Sequence, residues 1–421
     1  MNPAEKEHLR LLSGRAFSPS APIDKRDLFA GRIQQLRRVA DAVNTRGQHA
    51  IIFGERGVGK TSLANILKDT FASQELFVIK VNCDQDDTFG SLWQKALSEI
   101  EIVERDEGIG FRPRVLATRR SLAEELPEQT TPDAIRRILQ HLGESVLIFD
   151  EFDRIQDMRT QRLLADTIKN LSDNSIPATL VLVGVATDVD DLIAEHASID
   201  RALVQIQMPR MNAGELEEIV NKGLNTLGMT IERAALDLIV LLSQGLPHYT
   251  HLLGQASARD AIENDHRTIS VEDVTAGLKS ALELAQQSIR NAYQEAVASQ
   301  RKGSLFRQVL LACALAEGDE LGYFGSADVR EPLSRIMGRR YEIPGFSQHL
   351  DKFTERNRGP VLEKAGTSRR FRFRFINPLL QPYVIMRGLA EGMLDGDLID
   401  LLRREHSDRT RDSRHGCSTA I

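Results

Sequence analysis

The chain has 421 residues, 41% hydrophobic and 27% charged. This is an ordinary globular composition for about two or three domains with a real core. No apolar run approaches the roughly 18 residues that a membrane span needs, and the first residues lack a signal-peptide core, which predicts a cytoplasmic protein without membrane contact. Cys83, Cys313 and Cys417 lack metal-ligand spacing, which disfavours a zinc site or a disulfide framework. The net charge of −6 argues against a chain that coats nucleic acid indiscriminately.

In chain order, residues 1–24 mix polar residues with Pro and Ser, which predicts a flexible N-terminal lead-in. Residues 25–210 alternate helical patterns with apolar strands, and the strands read HAIIF, ELFVIKVNC, SVLIFDE and TLVLVGVA. Continuous apolar strands are buried on two faces. The pattern therefore predicts an α/β core, a parallel sheet with helices on both faces. The polar stretch at residues 105–114 predicts a surface loop.

After residue 210 the strand signals stop. Residues 211–300 predict an all-α lid, with helices near 212–228, 231–244 and 246–264 and a fourth from Ser270 towards Gln300. Residues 301–404 give three helices and a hairpin, the order of a winged-helix domain. The polar residues 405–421 predict a disordered tail.

The strongest motif is GERGVGKT, in which Gly54, Gly59, Lys60 and Thr61 match GxxxxGK[ST] between a strand and a helix. Glycines let backbone N–H groups surround a phosphate, and the following helix points its positive end at the anion. Lys60 would reach the β and γ oxygens of ATP, and Thr61 would bind Mg²⁺. The alternative is a glycine turn that binds nothing. The predicted nucleotide-binding residues are Gly54, Glu55, Arg56, Gly57, Val58, Gly59, Lys60, Thr61 and Ser62.

A second constellation follows the strand VLIF, which ends in Asp150 and Glu151. Ligands bind at this carboxyl edge in open α/β sheets. Asp150 fits a Mg²⁺ ligand through water, and Glu151 fits the carboxylate that polarises the attacking water during hydrolysis to ADP and phosphate. The alternative is that both residues merely cap the next helix.

The segments GERGVGKTSL, LIFDEFDRI, LVLVGVATD, SIDR and GLPHYTHLL together resemble the AAA+ ATPases, in the branch shared by origin-recognition initiators and STAND-type signalling NTPases. The resemblance covers about residues 25–300 and, more weakly, the winged helix. LFAGR is similar to a lead-in that packs near the adenine in those families.

The resemblance implies three further site residues. Thr187 matches the sensor residue that contacts the γ-phosphate or the attacking water, where the family more often has Asn. Arg201 matches the arginine finger that completes a neighbouring protomer's site. His248 matches the second sensor, where the family has arginine; a neutral or half-charged imidazole would contribute less charge there, which favours slow hydrolysis, and the alternative is a position that only senses the nucleotide. The alternatives are a helix cap at Thr187 and an ordinary exposed arginine at 201.

Residues 352–374 contain eight basic and two acidic residues. Phe371, Phe373 and Phe375 alternate with Arg372 and Arg374, which predicts a strand with one apolar and one basic face. Winged helices place a helix in the major groove and a wing on phosphates, so residues 345–374 predict contact with duplex DNA. The alternatives are contact with a protein partner or a solvated face.

The leading hypothesis is therefore a slow, ATP-dependent AAA+ switch that forms homo-oligomers and engages DNA. One rival is a STAND-like signalling or defence regulator whose winged helix binds protein or holds the ATPase closed. Another is a nucleotide-binding scaffold without turnover.

Overall fold

The computed structural model describes residues 1–19, 21–22, 30–72, 76–107, 115–186, 199–299, 303–319, 321–367 and 370–394. Four predictions fall on other residues: the adenine-side positions Leu28 and Phe29, the sensor Thr187, the basic Arg369 and the tail 405–421. Among the described residues, no helix is both long and apolar enough to cross a membrane.

The chain divides into two compact units. We call Pro22–Glu55 with Gly59–Met208 the sheet unit, and Met1–Ala21, Arg56–Val58 and Pro209–Ile421 the helical unit. The helices are α1 (Pro3–Ala16), α2 (Ile33–Asn44), α3 (Lys60–Ala72), α4 (Phe89–Ser98), α5 (Pro132–Leu142), α6 (Met158–Asp173), α7 (Ala213–Leu227), α8 (Arg233–Ser243), α9 (Pro247–Glu263), α10 (Val271–Leu284), α11 (Gln287–Val297), α12 (Phe306–Leu315), α13 (Ser326–Ile336), α14 (Ser347–Lys352) and α15 (Leu380–Ala390). The strands are β1 (His49–Gly54), β2 (Phe77–Asn82), β3 (Glu101–Glu107), β4 (Val115–Ser121), β5 (Ser145–Asp150), β6 (Ala178–Val185), β7 (Leu203–Gln207), β8 (Thr230–Ile231), β9 (Thr268–Ile269), β10 (Phe324–Gly325), β11 (Leu362–Ala365) and β12 (Arg372–Phe375).

The sheet unit is built on a five-stranded parallel sheet in the order β2-β5-β6-β1-β7, flanked by helices. Every residue of β1 and β5 is buried, as expected for strands covered on both faces. Trp93 of α4 packs edge-on against Phe149 of β5 in this core. The predicted α/β class is confirmed, and the parallel register brings the carboxyl ends of β1, β2, β5 and β6 to one edge.

The predicted loop at residues 105–114 is wrong at its start, since residues 105–107 belong to β3. Strands β3 and β4 form an antiparallel hairpin, with Glu101 paired to Ser121 and Glu107 to Val115. The run ERDE has no apolar alternation, and glycines and a proline follow it, so the sequence indicated a loop where the backbone continues the antiparallel pairing.

The expectation of a loosely held lead-in does not fit the helical unit, where α1 packs on α7 and α9. Asn2 and Glu5 form a capping box at its start. Phe17 is fully buried beyond its end. A Cβ at Gly223 would lie 2.4 Å from Phe17 Cζ, and one at Gly254 2.6 Å from Cε1, so the ring requires glycine at both positions. These partners are remote in sequence, which is why the local pattern missed them.

The remainder of the helical unit contains α7 to α11, the short parallel pair β8 and β9, and then α12, β10, α13, α14, β11, β12 and α15. The last three strands form an antiparallel sheet in the order β10-β12-β11. The predicted fourth lid helix is two helices, α10 and α11, because Ala285 and Gln286 adopt extended ψ angles. Phe373 and Phe375 are buried while Arg372 is exposed, as the alternation predicts.

Candidate nucleotide site

The glycine loop connects β1 to the first turn of α3. Gly54, Gly57 and Gly59 have φ angles of +155°, +89° and +96°, which other residues rarely adopt. Within the sheet unit, a Cβ at Gly54 would lie 2.4 Å from the carbonyl oxygen of Met208. The loop can therefore turn sharply and present backbone N–H groups at the start of α3, where helix and loop both favour an anion.

Lys60, the first residue of α3, is 8% exposed. Its Nζ donates hydrogen bonds of 2.8 Å to the carbonyl oxygens of both Gly54 and Glu55. These bonds hold the Lys60 ammonium inside the loop, and its contact with phosphate oxygens stays a prediction. Ser62 follows in the same first turn and is half-buried.

Asp150 ends β5 and is 2% exposed. Its Oδ1 accepts a 2.9 Å bond from the N–H of Glu151 and lies 3.5 Å from Thr61 Oγ1. A hydroxyl and a carboxylate brought together are hard oxygen donors, the ligand type that Mg²⁺ takes. The two predicted metal ligands, 89 residues apart in the chain, thus fit one magnesium ion.

The other Asp150 oxygen faces Lys80, a residue that the sequence did not single out. Lys80 Nζ lies 3.0 Å from Asp150 Oδ2 and 2.6 Å from Asn65 Oδ1 of α3, and its side chain is 11% exposed. The contact with Oδ2 is an ion pair rather than a directed hydrogen bond, since Oδ2 has no hydrogen-bond partner of good geometry. The available signal was a lysine inside the apolar strand FVIKVN, since a charge is rarely buried unless it is paired.

Glu151 follows with a left-handed backbone, φ 58° and ψ 35°. Such strain in a residue other than glycine is concentrated at functional sites. Its half-exposed carboxylate pairs with Arg154 NH1 at 2.9 Å, and Arg154 also lies 3.5 Å from Asp84. Asp153 accepts a 2.8 Å bond from the N–H of Val185 at the end of β6, tying that strand end to the site.

Arg201 lies in an exposed turn two residues before β7, the edge strand beside β1. Its position on the surface leaves the finger role, which acts on a neighbouring protomer, as a prediction. Thr187 lies outside the described residues, two positions after β6 ends.

His248 lies in the first turn of α9, in the helical unit. Its Nδ1 is 2.7 Å from the carbonyl oxygen of Pro19, which can only accept, so this nitrogen carries a proton. Burial lowers the pKa of His248 below its usual value, which favours the neutral ring. One turn on, the N–H of Ser18 lies 3.4 Å from His251 Nδ1, and burial lowers the pKa of that ring to about 4. No local sequence pattern indicated this N-terminal contact with α9.

Several basic side chains of residues 352–374 interact with other residues of the protein. Arg358 donates to the carbonyl oxygens of Ala296 and Ala298 and stacks 3.7 Å from the Phe306 ring centroid. Three others form ion pairs with carboxylates: Lys364 with Asp351 at 2.6 Å, Arg372 with Asp319 at 2.7 Å and Arg374 with Glu363 at 2.6 Å.

The counted charge therefore overstates the basic surface, because the window leaves out Asp351, the residue just before it, and Asp319, which the fold brings to Arg372. Lys352, Arg356 and Arg370 have exposed side chains.

Residues 43–193 match the sequence model of the family described as an AAA domain. The matched segment includes Lys60, Thr61, Asp150 and Glu151, and it confirms the predicted resemblance for this part of the chain at the level of an AAA domain. No curated protein matches the chain.

Several solved structures are similar over most of their length. A Walker-type ATPase of Pyrococcus abyssi has 15% identity and a TM-score of 0.49, covering 87% of this chain and 98% of the other. The ORC1 protein of Aeropyrum pernix, in complex with DNA, has 14% identity and a TM-score of 0.45, covering 91% and 97%. The RuvB Holliday junction branch migration motor of Thermotoga maritima has 16% identity and a TM-score of 0.43, covering 83% and 94%. Likenesses this weak assign no function to the chain.

Proposed function

We propose that the chain is an ATP-binding, slowly hydrolysing molecular switch of the AAA+ type. The observation that carries this proposal is the cluster of Lys60, Thr61, Asp150 and Glu151 at the carboxyl edge of the parallel sheet. Lys60 and the loop N–H groups would bind the phosphates of ATP, and Thr61 and Asp150 would hold Mg²⁺. The metal would draw charge from the phosphate oxygens, and Glu151 would orient and deprotonate the attacking water.

Two features support slow turnover. The ion pair with Arg154 occupies one oxygen of Glu151, so the carboxylate must leave this partner before it can serve fully as a base. At the predicted second-sensor position, burial lowers the pKa of His248 and so favours the uncharged ring.

The ATPase proposal is tested with Glu151→Gln, for which we expect ATP affinity close to wild type and a hydrolysis rate at least about a hundredfold lower, since a general base contributes 10²–10⁴-fold. Glu144→Gln, an exposed position before the other end of β5, is the matched control and should leave both unchanged. If Glu151→Gln hydrolyses ATP at the same rate as the wild type, Glu151 is not the general base. ATP binding without turnover in the wild type would indicate the scaffold.

We further propose that residues 25–210 are the ATPase core, 211–300 the lid and 301–404 a winged helix that engages duplex DNA. The order α12, β10, α13, α14, β11, β12 and the sheet order β10-β12-β11 support a winged helix. Lys352 at the end of α14, Arg356 and Arg370 are exposed cations that would meet phosphates.

Binding of a DNA duplex at several salt concentrations tests this surface. Replacing Lys352 and Arg356 by Ala should weaken binding and reduce the salt slope by about 1 for each phosphate that the variant no longer neutralises. Replacing the exposed Lys279 and Arg10 removes the same charge elsewhere in the helical unit and should change little. Binding that is absent, or equally affected by both pairs, would remove the DNA proposal.

We propose that protomers assemble with ATP through Arg201, which an arginine at an exposed turn permits. Arg201→Ala should lose ATP-dependent oligomers in sedimentation while keeping ATP affinity. An unchanged assembly state would exclude the finger.

One observation favours the rival, a regulator held closed by its C-terminal region. Within the helical unit, Gly57 from the middle of the glycine loop faces Leu379, and a Cβ at Gly57 would lie 2.9 Å from Leu379 Cδ2. Tyr249 OH donates a 2.6 Å bond to the Leu379 carbonyl oxygen, which fixes that residue. If this contact restrains the loop, Leu379→Ala should increase ATP affinity or turnover, while Ile376→Ala, which alters a half-exposed side chain, should not.

A further inference from the structure

The magnesium ligand Asp150 has a permanent cationic neighbour. Lys80 Nζ lies 3.0 Å from Asp150 Oδ2, and the side chains are 11% and 2% exposed. Water therefore screens this pair little, and an attraction at this distance is stronger than the same pair would show on the surface. The P-loop lysine has other partners, since its ammonium donates to two loop carbonyls.

Lys80 is held in place from two sides. Its strand β2 runs beside β5 with Asn82 opposite Asp150, and its ammonium donates a 2.6 Å bond to Asn65 of α3. A lysine bound between two elements cannot swing away freely. Its charge remains beside Asp150 as a fixed property of the site.

The two carboxylate oxygens have different neighbours. Oδ1 accepts the Glu151 N–H and lies beside Thr61, where Mg²⁺ would be held, whereas Oδ2 faces Lys80. The ammonium leaves Oδ1 open to the metal but cancels part of the negative charge that attracts it, and it also repels a divalent cation directly.

We propose that Lys80 is a positioning residue that lowers the affinity of the nucleotide site for Mg²⁺, so that the chain responds to magnesium concentration when it binds ATP. The inference rests on the proposed MgATP site. Asn65 positions the ammonium, and Asp150 transmits its charge to the metal.

The test measures affinity for a fluorescent ATP analogue across a series of Mg²⁺ concentrations, including excess EDTA, with thermal unfolding as a check on folding. In Lys80→Met we expect the Mg²⁺ concentration for half-maximal enhancement of binding to fall at least about tenfold, with little change of affinity in EDTA. Lys80→Arg, which keeps the charge, should stay close to wild type. Lys169→Met, at an exposed lysine of α6, is the matched control and should match wild type.

An unchanged or higher Mg²⁺ requirement in Lys80→Met would overturn the proposal, as would an equal fall in Lys169→Met. If Lys80→Met loses as much affinity for the ATP analogue in EDTA as in Mg²⁺, the role of Lys80 is purely structural. If Lys80→Met does not fold, Lys80→Gln replaces it, because the amide can still donate to Asn65. A wild-type chain that binds no nucleotide at any Mg²⁺ concentration would reject the proposed function itself.

Discussion

Two regions stand out in the sequence: the candidate nucleotide site at the carboxyl edge of the sheet unit, and the basic residues 352–374 of the helical unit. The structure agrees with the sequence-based prediction more closely in the first region than in the second. At the edge, Thr61 and Asp150 meet because Asp150 ends β5, while the glycine loop after β1 carries Thr61 into the first turn of α3 at the same edge of one parallel sheet. In the basic stretch, Arg372 and Lys364 meet the carboxylates of Asp319 and Asp351, which belong to other elements. Residues placed by the ends of strands lie where the sequence predicts. The charge counted along a stretch of sequence, in contrast, overestimates the exposed charge when folding places carboxylates beside the basic side chains.

The largest effect we expect concerns a contact that no local pattern reveals. Phe17→Ala should lower the free energy of unfolding by about 3–5 kcal/mol, the usual cost of removing a fully buried aromatic ring, because Phe17 fills the space over Gly223 and Gly254. Chemical denaturation measures it. Leu11→Ala, 66% exposed on α1, is the control, with a change within about 0.5 kcal/mol. Equal effects would mean that α1 is not part of the core of the helical unit.

The next effect tests the locally fixed region. Lys60→Met should weaken ATP binding about a hundredfold, roughly 3 kcal/mol, since bonds to charged groups contribute about 1.5–3 kcal/mol each. Calorimetric titration with ATP and Mg²⁺ measures the loss. Lys68→Met, at an exposed lysine on the same helix, removes the same charge and should bind normally. Normal ATP binding in Lys60→Met would show that the glycine-loop motif does not predict the nucleotide site.

A third prediction uses pH on a contact in the helical unit. His266 Nε2 donates a 2.9 Å hydrogen bond to the carboxylate of Asp273, and this bond raises the pKa of His266 above its ordinary value of 6.5. Because the folded pKa is raised, the stabilisation is fully present below about pH 6.5 and is lost as pH rises through the higher folded pKa. The difference in unfolding free energy between wild type and His266→Asn should therefore shrink as the pH rises above about 6.5. His8→Asn, exposed on α1, is the control; a difference constant with pH would exclude the pair.

The sequence predicted what depends on short-range pattern and on strand order. The parallel α/β core and the meeting of Thr61 with Asp150 follow from apolar runs and from where the strands end. It missed Lys80 because neither strand's sequence indicates that β2 pairs with β5. Two other strands, β3 and β4, lie between them in the chain. It also missed the packing of α1, since the glycines that admit Phe17 lie more than 200 residues away. The role of His248 stays a prediction, because its visible partner is Pro19.

The smallest effect addresses the weaker region directly. The Arg372–Asp319 pair is partly exposed, with 49% and 35% of the side chains accessible, so solvent screens it and a double-mutant cycle should give a coupling energy of only about 0.2–1 kcal/mol. Arg372→Ala, Asp319→Asn and the double variant are compared by denaturation at low and at high salt, where the coupling should fade. The same variants sharpen the DNA proposal. If Asp319 withholds Arg372 from phosphates, Asp319→Asn should strengthen DNA binding and steepen its salt dependence, whereas Arg372→Ala should change binding less than Lys352→Ala. If Arg372→Ala weakens DNA binding more than Lys352→Ala does, the Arg372–Asp319 ion pair breaks when DNA binds. The charge counted from the sequence would then describe this surface better than the exposed charge of the free protein.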